Sequence, residues 1–333
     1  MKGRAMRTLR VLAVAAVVAL SAAVVVACGA MSSQTETKTM TLALAPVARE
    51  NGRPLQVVAT TGQIADAVRR VGGDRVETHG LMGPGVDPHL YRASESDVTR
   101  LEAADAVFWN GLHLEAGISG VLERIAELGV HSIRVTDDID RQHLLAPPEF
   151  DGAYDPHVWF DLDLWSVAVA TIRDALIAMD PEGAEVYRAN AAAFIAEVKE
   201  LDSYVESRAL EIDERVRVLV TAHDAFNYFA HRYGMEVRGL QGISTESEAS
   251  TADVQKLAQF ISERGIPAVF IESSVPDQGV QAVIEAAAAR GHTVTIGGEI
   301  FSDAMGAEGT EEGTYLGMIR HNIDTIVEAL RRT

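Results

Sequence analysis

Along this chain, short apolar runs of strand length alternate with segments whose apolar residues recur every three or four positions. Runs of the first kind suit strands buried in a parallel sheet, and segments of the second suit helices that turn one face to a core. Gln56–Thr60 reads as a strand. Thr61–Val71 then reads as a helix, with Ile64, Ala67, Val68 and Val71 on one face and Gly72-Gly73 as its stop. The alternation continues through a strand at Arg75–Leu81, a helix at Ser94–Ala104 and a strand at Asp105–Trp109. A helix at Ile118–Leu128 and a strand at His131–Thr136 complete it. This pattern predicts a parallel α/β lobe.

The rhythm then changes. Leu162–Met179 reads as a helix, followed by a longer one from Pro181 to about Leu210 with no strand between. In the second helix Tyr187, Ala191, Phe194, Val198, Leu201 and Val205 step by four and three in turn, a seam along one face. The α/β alternation resumes with strands at Arg217–Thr221, Glu236–Leu240, Ala268–Glu272 and Thr293–Ile296. The helices among them are Ala225–Tyr233, Thr251–Gly265, Val280–Arg290 and Tyr315–Arg331. Ser250 or Thr251 is placed to cap the second of these, with Asp253 or Val254 in its first turn. The expected fold is therefore two α/β lobes with parallel sheets, joined by a long connecting helix, with a ligand cleft between them. The expected divisions are a first lobe at 55–180, a connecting helix at 181–211 and a second lobe at 212–333.

The start of the chain follows a different logic. Lys2, Arg4, Arg7 and Arg10 precede an apolar run, Leu12–Val26, that is short for a membrane span. The run ends in Val25-Val26-Ala27-Cys28, the pattern of a bacterial lipoprotein signal. Residues 1–27 are expected to be a signal peptide, Cys28 the lipidated residue, and 28–54 a flexible tether rich in Ser, Thr, Gln and Ala. Cys28 is the only cysteine, so no disulfide is available and any metal site must use nitrogen and oxygen ligands. Cleavage before Cys28 removes four basic residues and no acids, leaving 25 Lys and Arg against 48 Asp and Glu, a formal charge of −23. Such a surface argues against nucleic acid as a partner.

Within this frame one tripeptide stands out. Asp-Pro-His occurs at Asp87-Pro88-His89 and again at Asp155-Pro156-His157. With 10 Pro and 10 His in 333 residues, chance puts Pro-His after a given Asp only about once in 1100. Proline stiffens each turn. The Asp can accept a hydrogen bond from the imidazole N–H or a backbone N–H, which presents a histidine in a fixed pose for a metal. In the second half, His223 follows the strand Arg217–Thr221 and Asp303 follows Thr293–Ile296. Ligands of open α/β sheets bind beyond the carboxyl ends of the strands. His89, His157, His223 and Asp303 all fall at such positions, two from each half. Three imidazoles and a carboxylate suit Zn²⁺, and also Mn²⁺ or Fe²⁺ if the carboxylate binds through both oxygens. A histidine or aspartate at a strand end also serves as a turn or capping residue, so each position taken singly stays open. His79, His113, His131, His143, His231, His292 and His321 lack comparable placement. Glu115, Glu248 and Glu272 are either outer hydrogen-bond acceptors or ordinary solvated carboxylates.

Several stretches together resemble the cluster A-I substrate-binding proteins of metal-ion ABC transporters, most closely the TroA-type zinc/manganese-binding lipoproteins. They are Val86–Tyr91, Asn110–Glu115, Asp155–Asp161, Val220–Phe226, Gly239–Thr245, Phe270–Ser274 and Gly297–Asp303. The resemblance implies that His89, His157, His223 and Asp303 are the four metal ligands, the third position being Glu in some relatives. It implies that the long helix restricts hinge motion. The implied function is capture of a zinc or manganese ion and delivery to a membrane permease by a monomer; three imidazoles favour Zn²⁺, with Mn²⁺ close behind. The protein would sit in the cell envelope, anchored to the lipid membrane through Cys28 at the periplasmic or extracellular face. It would not be an enzyme. A zinc hydrolase is the rival reading, against which stand the absence of a His-Glu-x-x-His motif and the closed count of four ligands. A surface adhesin is a third, with nothing specific to support it.

Overall fold

A computed structural model describes residues 44–49, 52–150 and 152–331. The expected signal peptide, Cys28 and most of the expected tether lie outside the described residues. The first lobe is built on β1 (Leu55–Ala59), β2 (Val76–Gly80), β3 (Ala106–Trp109) and β4 (His131–Arg134). They form one parallel sheet in the order β2-β1-β3-β4. Helices α1 (Gly62–Gly72), α2 (Glu95–Ala103) and α3 (Ser119–Glu127) make the crossovers. The four buried residues of β3 show why the strand reads as a continuous apolar run: helices cover both faces of the sheet.

Two consecutive helices follow, α4 (Leu162–Met179) and α5 (Ala184–Ala209), as the loss of strand rhythm predicts. All six seam residues of α5, from Tyr187 to Val205, are buried. They belong to the largest core, which runs from β1 and α1 through α4 and α5 into residues of the second half such as Phe226, Phe270 and Met318. One apolar cluster therefore continues from lobe to lobe. Asp180, between the two helices, ties this region together. Its Oδ2 accepts from Arg49 Nη1 at 2.7 Å, Arg75 Nε at 2.7 Å and Tyr187 Oη at 2.6 Å. Burial opposes ionisation there, but Arg75, Tyr187 and Arg49 overcome it and hold the Asp180 pKa down at about 2. The segment Leu44–Arg49 lies along the same end of the lobe, with the Val47 N–H donating to the Met179 carbonyl at 2.8 Å.

The second lobe contains β5 (Val218–Thr221), α6 (Asn227–Tyr233), β6 (Glu236–Gly239), α7 (Thr251–Arg264), β7 (Ala268–Glu272), α8 (Gln278–Ala288), β8 (Thr295–Ile300) and α9 (Tyr315–Arg331). Its strands pair in parallel as β5-β6 and β7-β8. Ser250 caps α7 in a capping box with Asp253, and Gly265 closes the helix in the left-handed conformation, φ 66°. The strand expected at Thr293–Ile296 instead spans Thr295–Ile300. Gly297 and Gly298 hide it from a propensity reading, and packing explains them. A Cβ on Gly297 would lie 2.7 Å from Phe270 and Ala329, and one on Gly298 2.5 Å from Thr325. The glycines let β8 approach β7 and α9 while remaining a strand. The extension carries the chain to within three residues of Asp303.

Candidate metal centre

The second Asp-Pro-His turn shows how the sequence fixes an imidazole. Asp155 Oδ1 accepts from the His157 backbone N–H at 2.9 Å and lies 2.7 Å from the ring Nδ1. Its Oδ2 accepts from Asn227 Nδ2 at 3.0 Å, and its carbonyl accepts from the Tyr228 hydroxyl at 3.0 Å. Both partners lie on α6, in the other lobe. With Nδ1 engaged, Nε2 faces the cleft. The first turn repeats the backbone part only: Asp87 Oδ1 accepts from the His89 N–H at 2.8 Å.

His223 lies two residues past the end of β5. Glu272, at the end of β7, receives its backbone N–H at 2.8 Å and lies 2.6 Å from its Nδ1. Asp303 is steadied through its backbone and its neighbour. Gln63 Nε2 of α1 donates to the Asp303 carbonyl at 3.1 Å, and Trp159 Nε1 donates to the Ser302 carbonyl at 3.1 Å.

These supports bring His89, His157, His223 and Asp303 together, with one ligand atom of each within 4.8 Å of the others. Their exposures are 2%, 0%, 0% and 2%. His89 Nε2 lies 3.4 Å from His157 Nε2 and 3.7 Å from Asp303 Oδ2. His157 Nε2 lies 3.3 Å from Asp303 Oδ1, and His223 Nε2 lies 3.2 Å from Oδ2. Both Asp303 oxygens and His223 Nε2 are buried and make no hydrogen bond. Polar atoms so placed are costly unless something else satisfies them. The spacing says what does. Metal–ligand bonds of about 2.0–2.1 Å around a tetrahedron put the ligand atoms about 3.3–3.4 Å apart. The four contacts of 3.2–3.7 Å are long for strong mutual hydrogen bonds and near the spacing that one shared cation would impose.

The electrostatics separate the four candidate ligands. Burial drives the His89 pKa down to about 3, with His157 and His223 adding to the effect, so this imidazole is neutral and ready to coordinate. Burial also lowers His157, but Asp155 and then Asp303 outweigh it and raise the pKa to about 9. His223 is likewise raised, by Glu272 and Asp303 against burial. Asp303 is held well below the usual carboxylate range: burial opposes this, and His223 and His157 prevail.

The other histidines fall elsewhere. His292 Nε2 contacts the Ile266 carbonyl at 2.7 Å and His321 Nε2 the Glu299 carbonyl at 3.0 Å. Glu115 is buried rather than solvated. It accepts from Thr60 Oγ1 and the Asn110 N–H, both at 2.7 Å, and braces the loop whose Asn110 Nδ2 donates to the Pro156 carbonyl at 3.0 Å. Glu248 stays exposed on its loop. The sequence offered no signal for Asn227, Tyr228 or Gln63, because their partners lie in distant segments.

The family model described as "ZnuA: Zinc-uptake complex component A periplasmic" matches residues 57–329. The manganese-binding lipoprotein MntA of Bacillus subtilis is 49% identical over 278 residues, covering 83% of this chain and 90% of that protein. The zinc-binding protein TroA of Treponema pallidum is 49% identical over 286 residues, covering 86% and 91%. The solved structure of periplasmic zinc-binding TroA from Treponema pallidum superposes with a TM-score of 0.81 at 48% identity, covering 84% of this chain and all of that one. Iron(III)-bound YtgA of Chlamydia trachomatis superposes at 0.74 with 26% identity, covering 83% and 98%. The chain belongs to the ZnuA family of periplasmic zinc-uptake components, among the metal-binding proteins of the TroA type.

Proposed function

We propose that this protein captures one divalent transition-metal ion between its lobes, through His89, His157, His223 and Asp303, and delivers it to the permease of an ABC transporter. The observation that carries the ligand assignment is one buried ligand atom from each of the four residues within 4.8 Å of the others, with His223 Nε2 and both Asp303 oxygens lacking any hydrogen bond. Two come from turns of the first lobe and two from strand ends of the second, so an ion held by all four holds the lobes together. Relatives named for zinc and for manganese support metal capture as the function. Four protein ligands complete a tetrahedral shell, whereas a hydrolytic zinc site keeps one position for water. The family is one of transport binding proteins, not enzymes.

Zn²⁺ is the favoured ion, because three imidazoles select borderline metals and the divalent series ranks Zn²⁺ above Mn²⁺. Mn²⁺ is a close second: with both Asp303 oxygens free of hydrogen bonds, the carboxylate can bind through both and enlarge the shell. Elemental analysis of protein purified from its native host decides between them. Calorimetric titration tests the site itself. One equivalent of Zn²⁺ should bind the wild type tightly, and Asp303→Ala should lose that binding; equal affinity in both would remove Asp303 from the shell.

We further propose that the body, with lobes at 55–180 and 212–333 joined through 181–211, acts as a monomer outside the cytoplasm. On this reading the signal is 1–27, the tether 28–54 and the anchor a lipid on Cys28, supported by relatives named as lipoproteins. Cys28→Ala should release the protein from the membrane fraction; continued membrane association would remove the anchor.

A further inference from the structure

The two Asp-Pro-His turns cross the cleft by different means. Asp155 and its neighbours reach the second lobe through Asn227 and Tyr228, and Arg232 Nη1 lies 3.0 Å from Asp161 Oδ1. The first turn reaches it through Asp87, whose Oδ2 accepts from the Thr245 hydroxyl at 2.6 Å. Thr245 lies on the loop between β6 and α7 and is 6% exposed. The remaining side-chain hydrogen bonds between the lobes, among the described residues, arise from α1 and the segment 145–163. The Asp87–Thr245 bond thus ties the carboxylate of the first turn to the opposite lobe.

The ligand on that turn is also the least supported. No described residue backs the His89 ring as Asp155 backs His157 and Glu272 backs His223. His89 is oriented through its backbone and through the seating of its loop. Leu90, the next residue, is 51% exposed. A groove of about 330 Å³ runs beside the turn, lined from both lobes by residues including Asp87, Leu90, Leu240, Thr245 and Val280. Solvent therefore reaches the first turn, whereas Asp155, Pro156, His157 and Val158 are all buried.

Resting on the metal-capture reading, we propose that Thr245 is a positioning residue for the captured ion. By holding Asp87 across the cleft, its hydroxyl fixes the first Asp-Pro-His turn against the second lobe and sets the rate at which the metal leaves. The bond is made in the closed arrangement and must break before the turn can carry His89 away from His223 and Asp303. Once the lobes part, water satisfies both groups, so removing the hydroxyl favours opening without touching a ligand.

The test uses the full-length protein loaded with Co²⁺, whose visible bands report the ligand set. Release into excess chelator is followed by stopped flow for wild type, Thr245→Val and Thr245→Ser. The valine variant should release Co²⁺ about tenfold faster, the scale of losing a hydrogen bond to a charged group, with its association rate and bands unchanged. The serine variant should restore the wild-type rate. Thr245→Ala, which needs less room, should behave as the valine variant does if the latter folds poorly. An unchanged release rate in the valine or alanine variant, failure of serine to restore it, or altered Co²⁺ bands would overturn the proposal. A wild type that takes up no Co²⁺ would instead overturn the metal-capture reading itself.

Discussion

The two Asp-Pro-His turns are identical in sequence and opposite in environment. At the second, one carboxylate holds its histidine by backbone and ring together, grips α6 of the other lobe and lies fully buried. At the first, the carboxylate holds only the backbone of its histidine and spends its other oxygen on Thr245, at the edge of a groove. On the reading proposed above, one turn is the fixed floor of the metal site and the other its movable side. A local motif therefore specifies a presentable histidine, and the tertiary partners of its aspartate specify how firmly that histidine is presented.

The largest effects should come from the ligands themselves. His157→Ala or Asp303→Ala should lower Zn²⁺ affinity beyond the roughly 10–100-fold expected from losing an outer partner, read by competition with a chelating dye. The turns should then separate. Asp155→Asn should cost about 10–100-fold in affinity and Asp87→Asn distinctly less, because only Asp155 supports a ring nitrogen. Equal losses would erase the distinction.

Proton counting sharpens it further. His157 is raised to about 9 in the metal-free site, so at pH 7 it carries a proton that the ion must displace; His89, lowered to about 3, carries none. Metal affinity should therefore climb as pH rises from 7 through about 9, with His223, also raised, adding to the proton release. Titration in buffers of different ionisation enthalpy should show proton release at pH 7. Asp155→Asn should reduce that release and Asp87→Asn should not.

The smallest effect on the comparison should come from Asp180, which touches neither turn. Its folded pKa of about 2 lies below the ordinary value of 3.8, so its contribution is present above 3.8 and is lost as pH falls through about 2. Asp180→Asn should cost about 2 kcal/mol of stability at pH 7 by denaturant titration. That cost should shrink toward pH 2, with metal affinity near that of the wild type throughout.

Much of this was legible in the sequence. The four–three stepping of Tyr187–Val205 marked the buried face of α5. Strand rhythm marked the parallel lobes, and strand ends marked the neighbourhood of the four proposed ligands. The rest depended on contacts between distant segments. Glu272 read as either a partner or a solvated acid until β7 and β5 placed it against His223. Gly297-Gly298 concealed two-thirds of β8, because close packing against Phe270 and α9 sets those positions rather than strand propensity. Asp87 and Asp155 were indistinguishable, because Thr245 and Asn227 reach them from 158 and 72 residues away.

The central claim is that four side chains from two lobes close on one ion. Anomalous diffraction at the zinc edge, from crystals grown with Zn²⁺, tests it most directly. One peak is expected, about 2.0–2.1 Å from Nε2 of His89, His157 and His223 and about 2.0–2.2 Å from an Asp303 oxygen. A peak elsewhere, or a shell drawn from one lobe alone, would contradict it.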